Sequence, residues 1–270
     1  MHYANILVSV DLDGPAPDRI RLAAGLAHRF EATLTGAAAH PVPVPILVHD
    51  VYDATIQEKE NERVVHGLLE RAHAVFAGNA GEGIRTDWRP AFAGPITHLV
   101  EQARAADLVV VGRRGPDDDN ADGLGVPPGP VLMEAGRPVL VVPPGIEHLK
   151  AARIVVAWKD GPEARRAVSG ALGFIRHADQ VFVVTAGDGA RFEGAEDVAG
   201  HLARHGASAT THLLKAAAGD GDAVLRFARE HEADLMVMGG YGHSRLREWA
   251  FGGVTREILQ TAPVCCLMCH

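Results

Sequence analysis

Residues 105–115, AADLVVVGRRG, and residues 232–242, EADLMVMGGYG, decide the fold. Each holds an acid, a short apolar run and then Gly-x-x-Gly. A five-residue apolar run bounded in this way reads as a strand buried on both faces. Matching blocks lie on both sides of it. Upstream, residues 5–27 (NILVSVDLDGPAPDRIRLAAGLA) parallel residues 153–175 (RIVVAWKDGPEARRAVSGALGFI). Both give an apolar strand, an Asp-Gly-Pro turn and an amphipathic helix. Downstream, residues 136–145 (GRPVLVVPPG) parallel residues 261–270 (TAPVCCLMCH). Three blocks in the same order make the chain two copies of one α/β domain.

The spacing predicts strands over 5–10, 32–38, 84–91, 108–112 and 138–142 in the first copy. Helices are expected over 16–30, 50–78 and 94–105, with a short one before the last strand. HPVPVP, residues 40–45, reads as an extended loop, because proline fixes φ and removes donors. In the second copy, strands fall near 153–158, 180–186, 208–214, 235–239 and 263–268, and the second helix, 193–205, is much shorter. The domains are placed at 1–145 and 151–270, joined by residues 143–152. Apolar strands alternating with helices imply two doubly wound domains, each a five-stranded parallel sheet flanked by helices.

Bulk properties narrow the function. A formal net charge of −8 with no long basic run argues against nucleic acid, which needs clustered Lys and Arg. No secretory signal is visible, and no apolar run approaches the roughly 20 residues that span a bilayer. The three cysteines fall in the last six residues and form no disulfide framework, so a reducing cytoplasm is expected.

The chemistry concentrates in the second copy, where strand 235–239 ends in GGYGHSRLREWAFGGVTREIL. Gly239 and Gly242 are followed after nine residues by Gly252 and Gly253, and then by a helix. A strand end in a doubly wound sheet opens onto the ligand crevice. Glycines let backbone approach a ligand, and a helix start offers free N–H groups to phosphate. His243, Arg245 and Arg247 add positive charge against Glu248. The same residues also fit a tight turn with a helix cap.

With these blocks on the page, the chain resembles the universal stress proteins, in tandem, over essentially its whole length. Nucleotide-binding members carry Gly-x-x-Gly, nine residues, then Gly-Ser or Gly-Thr. The resemblance implies ATP or a related adenine nucleotide, its phosphates on Gly239, Gly242, His243, Arg245, Gly252, Gly253, Val254 and Thr255, with Ala157 at the first strand's end. It implies an Asp at that strand end for the adenine. It also implies that terminal strands pair, so that the two copies form an internal pseudo-dimer. Two positions depart from the pattern: Gly253 lacks the hydroxyl, and Lys159 takes the place of the acid, with Asp160 one later. One lost neutral hydrogen bond costs about 0.5–1.5 kcal/mol, which weakens binding without abolishing it.

The first copy shows the complementary pattern. Asp11 stands at the family's acid position, or caps the following helix, and Gly112 and Gly115 open a weaker candidate loop. Arg113 and Arg114 face Asp117, Asp118, Asp119 and Asp122, and GVPPGP supplies few N–H donors. Like charges at 4 Å repel by ~1 kcal/mol in water and ~4 kcal/mol at a dielectric of 20. The first copy is therefore expected not to bind ATP phosphates.

Other groups are read as structural. Cys266-x-x-Cys269 has a metal-like spacing, but Cys265 and Cys266 fall inside a strand, and Cys269 reads as frayed. His201, His205 and His212 read as surface residues, as do His28, His66 and His73, and Trp158 reads as core or crevice lining. No metal is required, and no nucleophile elbow or Walker loop appears. The expected function is a stress-response regulator binding nucleotide in the second copy. The alternatives are a nucleotide-free interaction scaffold and a slow ATPase. A protein partner is left unnamed, and a further homodimer is left open.

Overall fold

The computed structural model describes residues 3–44, 51–114, 122–187, 194–215, 219–241 and 253–270. The first half runs β1 (Asn5–Ser9), α1 (Ala16–Phe30), β2 (Thr33–Ala39), α2 (Val51–Asn79), β3 (Arg85–Ala91), α3 (Pro95–Gln102), a 3-10 turn, β4 (Leu108–Gly112), α4 (Pro128–Glu134) and β5 (Val139–Val142). The second half runs β6 (Arg153–Ala157), α5 (Pro162–Ile175), β7 (Gln180–Ala186), α6 (Ala195–Arg204), β8 (Ala209–Leu214), α7 (Asp220–Glu230), β9 (Leu235–Gly239), α8 (Gly253–Thr261) and β10 (Cys265–Cys269).

The strands form one sheet in the order β3-β2-β1-β4-β5-β10-β9-β6-β7-β8. Pairing is parallel within each half. The halves join where β5 and β10 run antiparallel, with Leu140 opposite Leu267. The implied pairing of terminal strands is thus present, and it makes one continuous sheet.

Alternation along each strand sorts side chains into two apolar layers. Ile6, Val8, Val110, Ile154 and Val237 meet α1, α2, α5 and α6. Leu7, Val109, Val111, Val155 and Met236 meet α3, α4, α7 and α8. Helices on both faces explain why the central strands are apolar without interruption.

The same alternation settles the cysteine cluster. Cys265 and Cys269 point into the first layer and Cys266 into the second. Cys266 and Cys269 therefore cannot share an ion. Cys269 is not frayed: β10 pairs with β9 as far as Cys269 opposite Gly239, and its side chain is buried. Burial pushes Cys265 and Cys269 up to about 12 and raises Cys266 as well. A thiol reacts as its thiolate, so these are inert. At pH 8 the folded chain is expected to resist iodoacetamide, and all three cysteines should label once it is unfolded. Rapid labelling of the native chain, located by mass spectrometry, would show that the seam opens.

Candidate functional site

In each half the chain leaves the first strand on one side and returns on the other. The resulting switch points lie between β1 and β4 and between β6 and β9. Crevices at strand C-terminal ends lie there.

In the second half the structure brings Ala157 and Gly239 together, since Ala157 pairs with Met238. α8 begins at Gly253, and because β10 is parallel to β9, the helix start faces the crevice end of the sheet. A methyl group added at Gly253 would meet none of the described residues within 4 Å. Val254 is half-buried and Thr255 is buried. Gly242, His243, Arg245, Arg247, Glu248 and Gly252 lie outside the described residues.

Lys159 is exposed at the end of β6, and Asp160 is held by Arg165 through both carboxylate oxygens, at 2.8 and 3.0 Å. The acid one place later is therefore engaged by its own helix. Trp158 is core, 6% exposed, and its amide donates to the Val184 carbonyl at 2.8 Å. Gly239 has a packing reason to be glycine. A Cβ there would meet Glu163 Cγ at 2.6 Å and the Ala164 backbone nitrogen at 2.7 Å. The start of α5 thus closes over the strand end, bringing a carboxylate side chain with it.

In the first half a cation takes that place. Arg19 Nη1 lies where a Cβ on Gly112 would stand, at 2.5 Å. Its Nη2 donates to Asp11 at 2.9 Å and its Nε to the Ser9 carbonyl at 3.0 Å. Asp11 does not cap α1, whose N-cap position is Pro15 with no side-chain bond. It forms a buried ion pair with Arg19, both side chains 4% exposed. Arg114 reaches Asp11 at 3.6 Å and also pairs with Asp13. Burial, and then the charge of Asp11, hold the Asp13 carboxyl above its ordinary pKa. Asp122 accepts the backbone N–H groups of Leu12 and Leu124, at 2.6 and 2.9 Å, so it braces the loop after β1. Gly115 and Asp117–Asp119 lie outside the described residues. α4 spans only seven residues, starting at Pro128.

Arg19 and Glu163 were absent from the sequence-based site. Arg19 had a signal. With Ala23, Leu26 and Phe30 it falls on one buried stripe of α1. Glu163 had none, since it sits in the first turn of a helix, where acids are ordinary.

Each crevice also leans on the opposite half. Arg113, just after β4, donates to the Gln260 carbonyl at the end of α8. A Cβ at Gly240 would meet Leu132 of α4 at 2.6 Å. His212, expected at the surface, is half-buried against Phe182 and Phe227, with ring centroids at 5.6 and 4.9 Å. Burial, and then His231, lower its pKa. The rings of His201 on α6 and His205 just after it have centroids 4.7 Å apart, with His201 exposed and His205 half-buried. His28, His66 and His73 are exposed, and His73 stacks on Trp88. Among the described residues, no group of acids, histidines and cysteines is placed to hold a metal, and no helix is long and apolar enough to cross a membrane.

Comparisons with known proteins agree with this architecture. The universal stress protein family model matches residues 193–270. The chain is similar to universal stress protein Slr1230 of Synechocystis sp. (strain ATCC 27184 / PCC 6803 / Kazusa), 25% identical over 167 residues. That match covers 58% of this chain and 56% of the relative, so it spans little more than half of the relative's length. A universal stress protein from Archaeoglobus fulgidus DSM 4304 superposes over 98% of this chain and 97% of its own, at TM-score 0.71 and 15% identity, a likeness of fold. A universal stress protein solved in complex with cAMP aligns with 53% of this chain and 98% of its own, at 24% identity and TM-score 0.37.

Proposed function

We propose that this chain is a tandem universal stress protein, a reading its matches support, and that it is a cytoplasmic stress-response regulator that binds an ATP-like adenine nucleotide in its second half. The observation that carries the reading is the start of α8. A nine-residue helix opens at the crevice with Gly253, and the described residues around it leave room for a ligand against the backbone. The free N–H groups of a helix's first turn and its positive dipole end favour a phosphate. Lys159 brings a cation to the same end of the sheet, beside Ala157. Gly242, His243, Arg245 and Gly252 join the site on the strength of the sequence alone. The role proposed is binding, with any turnover slow.

A second reading, a nucleotide-free interaction scaffold, is favoured by a different observation. Glu163 closes over Gly239, and Arg19 occupies Asp11. A thermal-shift series with adenine nucleotides separates the two readings. A ligand present at about 100 times its Kd stabilises a fold by about 2.7 kcal/mol. Gly253→Ser, which fits the open space and restores the hydroxyl, is expected to tighten binding by about 0.5–1.5 kcal/mol. No shift with any adenine nucleotide at millimolar concentration, in either protein, would leave the scaffold reading. Phosphate release followed over hours separates a binder from a slow hydrolase.

A further inference from the structure

Beyond the second half, we propose that the first half holds a small tetrahedral oxyanion, of the class of inorganic phosphate or sulfate, in an arginine-walled cavity. The cavity lies at the ends of β1, β4 and β5 and measures about 140 Å³. Arg19, Arg113 and Arg114 line it, with Asp13 on one side and Pro143 and Pro144 on another. Nucleotide-sized ligands take pockets of roughly 300–1,000 Å³. A water's share of liquid volume is about 30 Å³, so this space suits a few waters or one compact anion.

The walls are built for negative charge. Arg114 is occupied by Asp13 and Asp11, and Arg19 by Asp11 and the Ser9 carbonyl. Two guanidinium nitrogens are left over. Arg19 Nη1 packs over Gly112 and has no acceptor among the described residues. Arg113 Nε is buried and has none either. Arg113 faces no carboxylate among the described residues, its other contact being the neutral Gln260 carbonyl. A buried charged donor without an acceptor, as Arg113 Nε is, is costly. A tetrahedral oxyanion offers several acceptors at once, in the fork geometry that guanidinium groups favour. Pro15 also lines this cavity's neighbourhood, so the positive end of α1 points the same way. Among the described residues the second half has no counterpart. There the helix position matching Arg19 is Arg166, which is exposed and donates to the His270 carbonyl at 2.8 Å.

The test is thermal unfolding of the full chain in rising inorganic phosphate, with ionic strength held constant by sodium chloride. A saturable rise in Tm at millimolar phosphate is expected, with sulfate acting alike. Arg113→Gln should weaken the apparent affinity at least tenfold. Gly112→Ala, whose methyl would displace the end of Arg19, should do the same if the first variant folds poorly. Arg204→Gln, at the exposed end of α6 in the other half, should leave the phosphate response unchanged. ATP competes for this cavity only weakly on grounds of size, so its response should survive Arg113→Gln. Absence of a saturable phosphate response in the parent chain overturns the proposal. So does an unchanged response in Arg113→Gln and Gly112→Ala, or one lost in Arg204→Gln. Loss of the ATP response alone bears on the second half and leaves this site standing.

Discussion

Replacing Asp11 by alanine is expected to destabilise the folded chain by about 3–5 kcal/mol, the cost of stranding one partner of a buried ion pair. Arg19 and Asp11 are each 4% exposed, so bulk water has little access to make good the lost carboxylate. The Ser9 carbonyl still accepts from Arg19 Nε, but a neutral acceptor does not balance a buried charge. The double variant Asp11→Ala, Arg19→Met should recover most of the loss, since a pair removed together leaves no orphan. Urea unfolding of the two variants and the parent measures both values. The experiment also tests the role of Asp11. An acid kept open for a ligand contributes little to the stability of the empty fold. A loss below about 1 kcal/mol for Asp11→Ala would return Asp11 to that role, contrary to the ion pair seen here.

Much of the architecture was legible in the sequence, for a definite reason. The strands at Leu108–Gly112 and Leu235–Gly239 and the helix Ala16–Phe30 stand where the pattern put them. Each is bounded by residues that break the repeat, an acid or proline before and a glycine or acid after. Periodicity then has sharp ends to work with. Cys269 shows the opposite case. Its place one residue from the end of the chain suggests fraying, yet long-range pairing with β9 and packing beneath Gly170 hold it. Such contacts are invisible to a local window.

The candidate sites were less legible. The glycines at the strand ends read as ligand-approach positions, and the structure gives each a second cause. At Gly112 an arginine of α1 lies against the Cα, and at Gly239 the first turn of α5 does. A spacing motif cannot tell close approach of a ligand from close approach of the protein's own helix. Binary patterning also treats arginine as a mark of solvent, which hides Arg19. The outcome is an asymmetry that the repeat alone does not suggest. One glycine is covered by a cation and the other by a carboxylate side chain. The two copies share a fold but cover corresponding glycines differently, one with an ion-paired arginine and the other with the Cγ and backbone of Glu163.

Phe174→Ala carries the other large expected effect, a loss of about 3–5 kcal/mol for truncating a fully buried aromatic. Phe174, near the end of α5, meets Phe30, near the end of α1, edge to face at 5.4 Å. Tyr3 touches both rings, at 4.8 and 5.4 Å, and donates its hydroxyl to the Gly170 carbonyl. The Arg29 guanidinium lies 5.9 Å from the Phe174 ring. These residues come from both halves, so the cluster ties one half's first helix to the other's over the β5–β10 seam. Edge-to-face pairs add about 0.5–1.5 kcal/mol beyond burial. Phe174→Leu, which keeps most of the volume, should therefore cost clearly less than Phe174→Ala. Urea unfolding followed by tryptophan emission reads this directly, because Trp88 lies in the first half and Trp158 in the second. The parent is expected to unfold in one transition. Phe174→Ala should lower its midpoint and, with the tie cut, let the halves melt at different denaturant concentrations. A single transition with an unshifted midpoint would mean that the seam strands alone hold the halves together.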